Sequence, residues 1–268
     1  MKTLIIGGGN MGITYAQSFL KAHVAEEKDL MILEKSKERA QLLNSKNVGS
    51  VYGSPEDCLK KADLIILAVK PQDCSVLFDV IRPYIDAQQV VLSIMAGVKT
   101  EFIAASLGVN KIIRAMPNLP AQIGMGMTVF TSTDEITRIE LVTVQNLLNT
   151  TGKTIYVESE ALIDAATAIS GSGPAYVYYF MNAMIKSAQQ MGFSESEAEL
   201  LVGQTFMGSV HLQNRNELSC KDWISKVASK GGTTEAAMNT FLTNTLESGI
   251  IDGTKSAHQR AIELGKNK

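Results

Sequence analysis

The sequence predicts an α/β fold: a Rossmann-like doubly wound parallel sheet followed by an all-α domain. Three observations carry that reading. Through the first half of the chain, short apolar runs rich in β-branched residues alternate with amphipathic stretches. The first of these runs, LIIG at 4–7, leads directly into a glycine turn and a helix. Beyond residue 158 the strand-like runs stop, and only helical periodicity remains.

Strands are expected at 4–7, 29–34, 64–69, 90–95, 111–116, 127–130 and 154–157. They are apolar nearly throughout rather than alternating, as strands covered on both faces of a sheet must be. Amphipathic segments at 10–22 and 134–149 supply helices for those faces. In the second half, PAYVYYFMNAMIKSAQQM (174–191) is apolar around most of its circumference, the pattern of a helix buried on several sides. Gly192-Phe193-Ser194 breaks it, and Ser194 with Glu197 makes a capping box that opens the next helix. A further helix starts at Thr233. The boundary is expected near residue 158, which divides the chain into 1–158 and 159–268.

Composition narrows the function classes. With 25 Lys and Arg against 27 Asp and Glu in 268 residues, the formal charge is −2, so no basic field marks nucleic acid or an anionic membrane as a partner. Cys58, Cys74 and Cys220 are scattered, without the spacing of a zinc site or a disulfide framework, so no metal is expected and a reducing cytoplasm fits. The opening apolar run is too short for a signal peptide, and no later run approaches membrane-spanning length.

The glycine turn is Gly7-x-Gly9-x-x-Gly12, with Asn10 and Met11 at the start of the helix that follows. Here the first glycine allows the tight turn, the second lets backbone approach a pyrophosphate, and the third permits close packing of helix on strand. Glu34, at the end of the second strand, is placed to accept from the adenosine ribose 2′-OH and would repel a 2′-phosphate. Lys35, Ser36 and Lys37 pull the other way, because they suit such a phosphate, although the same lysines equally fit a solvated helix start. The cofactor is therefore NADPH or NADH, with Glu34 tipping the balance toward NADH. Ligands in such folds lie beyond the carboxyl ends of the strands, so Ala68-Val69-Lys70-Pro71 should border the nicotinamide side. Asn118, in Met116-Pro117-Asn118, is expected to line the same cleft or else to serve as a turn residue with local side-chain bonds.

A second glycine turn, VASKGGTTEAAM at 227–238, also precedes a helix. Unpaired N–H groups and the positive end of a helix dipole prepare such a place for an anion. The alternative is an ordinary capped helix with Thr233 or Thr234 at the N-cap.

IIRAMPNLPAQIGMG (112–126), AISGSGPAYVYYF (168–180) and VASKGGTTEAAM, behind a glycine turn and AVKP, resemble pyrroline-5-carboxylate reductase nearly end to end and in the same order. That resemblance implies NAD(P)H reduction of the cyclic imine Δ1-pyrroline-5-carboxylate to L-proline, the last step of proline biosynthesis. It also implies a dinucleotide-binding domain over 1–158 and a substrate-binding and dimerisation domain over 159–268, forming a homodimer or an assembly of dimers. The turn from Ser229 through Gly231, Gly232, Thr233 and Thr234 would hold the substrate carboxylate, and Thr167 would face the nicotinamide amide or the imine. Thr167 and Thr234 are the catalytic candidates. Three positions depart from the family pattern: Lys230 stands where Pro is usual, Leu119 where Thr is usual, and Pro55 near where an Asn often approaches the ribose.

Imine reduction needs hydride on carbon, a proton on nitrogen and a grip on the carboxylate, but no base to remove a hydroxyl proton. Hydroxyacid dehydrogenases of similar plan carry a catalytic Lys four residues after the last glycine of a comparable turn, and an Asn four further on. Counting from Gly173, those places hold Val177 and Met181. His23, His211 and His258 lie outside every motif and are expected on helix surfaces or interfaces. A dehydrogenase with another substrate and a non-catalytic dinucleotide sensor are the competing readings. Val177 counts against the hydroxyacid version, and the intact second turn counts against the sensor.

Overall fold

In the computed structural model, which describes residues 1–266, the sheet has eight strands. They are β1 (Thr3–Ile6), β2 (Leu30–Leu33), β3 (Ser50–Tyr52), β4 (Leu64–Leu67), β5 (Val90–Ser93), β6 (Ile112–Met116), β7 (Gly126–Ser132) and β8 (Gly152–Tyr156). Their order is β3-β2-β1-β4-β5-β6-β7-β8, with all pairs parallel except β6 and β7. All seven expected strands are present. The expectation of an all-parallel sheet is corrected at β7, because the short connection from β6 allows only an antiparallel return. β3 escaped the sequence reading: three partly exposed edge residues give no periodic signal.

Helices α1 (Asn10–Lys21), α2 (Lys37–Ser45), α3 (Cys74–Ile81), α4 (Thr100–Leu107) and α5 (Arg138–Asn149) cover the sheet. Two hydrophobic clusters form, one on each face. Leu4 and Ile6 of β1 join Phe78 of α3 and Ile103 and Leu107 of α4, while Ile5 joins Tyr15 and Phe19 of α1 and Leu147 of α5. Alternate residues of one strand thus feed opposite faces, which is why the whole strand must be apolar. Thr137 and Glu140 close a capping box that starts α5 at Arg138, four residues later than the amphipathic pattern at 134 suggests.

After β8 come α6 (Ala161–Ala166), a π-helical turn over Thr167–Gly171, and then α7 (Gly173–Gln190), α8 (Glu195–Asn214), α9 (Cys220–Val227), α10 (Thr233–Thr243) and α11 (Leu246–Lys266). Residues 173–256 form one compact unit, and the rest of the described chain forms the other. The capping box at Ser194 and Glu197 is present and opens α8. Within α7 no residue is buried in the single chain, so the apolar circumference read from the sequence is not covered by this chain's own side chains. His23 lies not on a helix surface but in the turn after α1, at φ 55°. Among the described residues no helix is long and apolar enough to cross a membrane, and no group of three or more His, Cys, Asp or Glu side chains is placed to hold a metal.

Candidate functional site

The glycine turn opens a cleft of about 1150 Å³ at the carboxyl ends of β1, β2 and β4. Gly7, Gly9, Asn10, Met11, Glu34, Lys35, Ala68, Val69, Lys70 and Pro71 all line it. Gly7 has φ 104°, a conformation that side chains rarely adopt, and a Cβ there would come within 2.7 Å of the Ala68 carbonyl oxygen. Gly12 lies beneath the turn rather than in the cleft; a Cβ on it would strike the Gly7 carbonyl oxygen. The N-cap of α1 is Gly9, with no side-chain hydrogen bond, and a Cβ at Gly9 would meet open space. The first N–H groups of α1 are therefore left for an anion and the backbone is bare where it would approach, which fits the pyrophosphate of a dinucleotide.

Glu34 is buried, with 4% of its side chain exposed. One carboxylate oxygen accepts from the Gly8 N–H at 2.9 Å and the other from the Ser36 N–H at 2.8 Å. Arg39 Nη1 stands 3.5 Å from the first of these oxygens. Each oxygen keeps a lone pair. Arg39 also lines the cleft, with Leu42, Gly53, Pro55 and Val76. Sequence reading missed Arg39, although its spacing of one turn beyond Lys35 was a usable signal. Lys35 and Lys70 are exposed, and Pro71 opens a short 3-10 turn.

Asn118 and Thr167 are not among the residues lining this cleft. The Asn118 amide donates to the Ser170 carbonyl at 3.0 Å and accepts from the Met127 N–H at 2.9 Å. Thr167, half-buried in the π-turn, donates its hydroxyl hydrogen to the Ile163 carbonyl at 2.8 Å. Nearby, Arg114 of β6 is fully buried and pairs with Glu160 at 2.9 Å and Asp164 at 2.7 Å. Burial pushes the Glu160 carboxyl up, but the Thr100 N–H and hydroxyl and the Arg114 guanidinium outweigh it and hold it below the ordinary carboxylate value.

In the other unit, the second turn is built as follows. Gly231 has φ 75°, and the Gly232 N–H donates to the Ser229 carbonyl at 3.0 Å. The N-cap of α10 is Gly232, without a side-chain bond, so neither Thr233 nor Thr234 caps the helix; both are its first residues. Among the described residues no hydrogen bond engages either threonine hydroxyl. The Gly231 N–H donates to the Glu235 carboxylate at 2.7 Å, a partner that the sequence reading did not name. Lys230 is exposed.

Comparison with known proteins agrees with this architecture. Residues 160–264 match the family described as pyrroline-5-carboxylate reductase dimerisation, and residues 2–97 match NADP oxidoreductase, coenzyme F420-dependent. A pyrroline-5-carboxylate reductase of Staphylococcus haemolyticus is 30% identical over 100% of this chain and 99% of its own length. The chain belongs to the pyrroline-5-carboxylate reductase family. Within that family, the structure of the Coxiella burnetii reductase superposes with a TM-score of 0.90 at 29% identity, covering 98% of each chain. A Plasmodium falciparum pyrroline carboxylate reductase, solved with NADP bound, gives 0.89 at 26% identity over 99% of this chain and 98% of that one.

Proposed function

We propose that this chain uses NAD(P)H to reduce the C=N bond of Δ1-pyrroline-5-carboxylate to L-proline, the last step of proline biosynthesis. The observation that carries the reading is the glycine-turn cleft with the open start of α1, in a chain that matches reductases of this family end to end. When bound, the dinucleotide supplies the hydride. The chain's own residues do the rest. Gly7, Gly9, Asn10 and Met11 seat the pyrophosphate, Gly12 supports the turn from beneath, and Ala68 through Pro71 border the nicotinamide side. Asn118 belongs to the frame of the site through its two backbone contacts.

Cofactor preference is assigned to NADH. The free lone pairs of Glu34 suit ribose hydroxyls, and its charge opposes a 2′-phosphate. Lys35 and Arg39 are the groups that would receive that phosphate once Glu34 is removed.

The segment Ser229, Gly231, Gly232, Thr233 and Thr234 holds the substrate carboxylate. The Thr233 and Thr234 hydroxyls at the start of α10, engaged by no hydrogen bond among the described residues, support this; the Gly231 N–H is already taken by the Glu235 carboxylate. Charge-assisted hydrogen bonds of about 1.5–3 kcal/mol each make two or three such donors enough to orient a small ring. Residues 1–158 serve cofactor binding, and 159–268 serve substrate binding and assembly as a homodimer, in a reducing cytoplasm.

Consumption of NADH or NADPH with pyrroline-5-carboxylate tests the reading, and a folded, dimeric protein that turns over neither would overturn it. In Thr234→Ala the substrate KM should rise about tenfold, the loss of one such hydrogen bond, with cofactor affinity unchanged. Equal loss of both affinities would make the turn structural.

A further inference from the structure

A π-turn is an uncommon element, because pairing each carbonyl five residues on widens the helix and loosens its contacts. The one over Thr167–Gly171 is closed by the Ser172 N–H donating to the Thr167 carbonyl at 2.9 Å. The chain just beyond removes an ordinary partner: Pro174, four residues after Ser170, has no N–H to offer the Ser170 carbonyl. Asn118 donates to that carbonyl instead, at 3.0 Å, and its own oxygen is held by the Met127 N–H.

Asn118 does not act alone. Arg114, Met116 and Asn118 are alternate residues of β6 and its extended continuation, so they project to one side. Arg114 reaches Glu160 and Asp164, at the start and middle of the helical segment that ends in the π-turn. Met116 lies against Gly171, where an added Cβ would come within 2.7 Å of its terminal methyl. Asn118 takes Ser170. β6, which carries Arg114 and Met116, is itself fixed between β5 and β7. Within the turn, the hydrogen of Thr167 is committed to the Ile163 carbonyl, so its hydroxyl has only lone pairs to present.

We propose that Arg114 and Asn118 are positioning residues that fix the π-turn on the sheet so that Thr167 serves the reaction as a hydrogen-bond acceptor and not as the proton donor. This rests on the reading that Thr167 lies at the reacting centre. An acceptor there suits the N–H of a nicotinamide amide or of a protonated imine. With a protonated imine the step balances without a side-chain acid: hydride from NAD(P)H adds to carbon, the C=N π pair stays on nitrogen, and nitrogen keeps the proton it brought.

The test is Asn118→Asp, which keeps the shape and the acceptor for Met127 but removes the donor to Ser170. Holding reactants an ångström out of place costs about a hundredfold, so kcat should fall between about tenfold and a hundredfold while the substrate KM stays within about twofold. With NADH deuterated at the transferred position, the isotope effect on kcat should rise as hydride transfer becomes limiting, a change that simple loss of folded protein would not produce. Arg114→Lys, which keeps the charge but loses the two-pronged donor, should move both readouts in the same direction. If the buried lysine prevents folding, Asn118→Asp carries the test by itself.

A kcat within about twofold of wild type and an unchanged isotope effect in Asn118→Asp would overturn the proposal. Thr167→Val separates the two ways it can fail. If Thr167→Val lowers kcat and Asn118→Asp does not, the positioning role is wrong and the site reading stands. If an active wild type tolerates both, Thr167 is not at the reacting centre and the inference falls with that reading.

Discussion

The two compact units differ in how much apolar surface each encloses within one chain. In the unit built on the sheet, β1, β2, β4 and β5 are buried at every position, and helices seal both faces. In the 173–256 unit, α7, α9 and α10 contain no buried residue, and α8 contributes only Ala198 and Val202. Tyr179 and Leu200 are 74% and 71% exposed. Hydrophobic stabilisation scales with area removed from water, so the sheet unit is stabilised by its own side chains and the helical unit by whatever covers it. The match of residues 160–264 to a dimerisation family gives that cover a source. The lesson is that one half should be stable at any dilution and the other should not.

The largest expected effect tests the self-sufficient half. Arg114→Ala leaves the carboxylates of Glu160 and Asp164 without their cation in a buried setting, a change that costs about 3–5 kcal/mol. Denaturant melts should show this loss at every protein concentration; a loss that varied with dilution would place Arg114 in the partner-dependent half instead.

Leu200→Glu tests the other half. A charge on this exposed apolar residue of α8 should weaken self-association by about 2 kcal/mol or more, read by sedimentation, while leaving nucleotide binding in the sheet unit intact. An unchanged dimer would show that Leu200 lies outside the covered face.

Next is Glu34→Ala, confined to the cleft. Removing the carboxylate leaves Lys35 and Arg39 unopposed, so the NADPH to NADH ratio of kcat/KM should rise about tenfold, equivalent to about 1.4 kcal/mol. An unchanged ratio would mean that Glu34 serves only the turn backbone.

The smallest effect is a pH slope. The folded Glu160 carboxyl is held below its ordinary value of 4.5, so the unfolded chain binds more protons in the window just below that value. Its contribution is complete above about pH 4.5 and is lost as pH falls through the lowered folded value. Glu160→Gln should flatten the fall in stability over that window, measured by denaturant titration at several acid pH values.

Much of the site was legible in the chain itself. The glycine turn could be read because its spacing is local: Gly7, Gly9 and Gly12 fall within six residues, between the first apolar run and the helix that follows. The central strands β1, β2, β4 and β5 were legible for a similar reason, since continuous apolar runs follow from burial on both faces. Asn118 shows where that ends. It was read as a cleft residue or a turn residue with local bonds, yet one of its partners, Ser170, is 52 residues away. Arg114 lies inside the strand read at 111–116 and was not singled out, because its partners are 46 and 50 residues on. The antiparallel β7 and the edge strand β3 likewise leave no periodic signature.

By itself the sequence determined the doubly wound sheet, the anion-ready turn after β1, the helical second half and the family, because hydrophobic period and turn chemistry are properties of neighbouring residues. Only the tertiary structure decided that the Glu34 carboxylate is tied to the Gly8 and Ser36 N–H groups, that Gly232 rather than a threonine caps α10, and that one side of β6 and its extended continuation holds the π-turn. These are pairings of polar groups. A polar side chain shows in sequence that it needs a partner, and folding alone chooses which one.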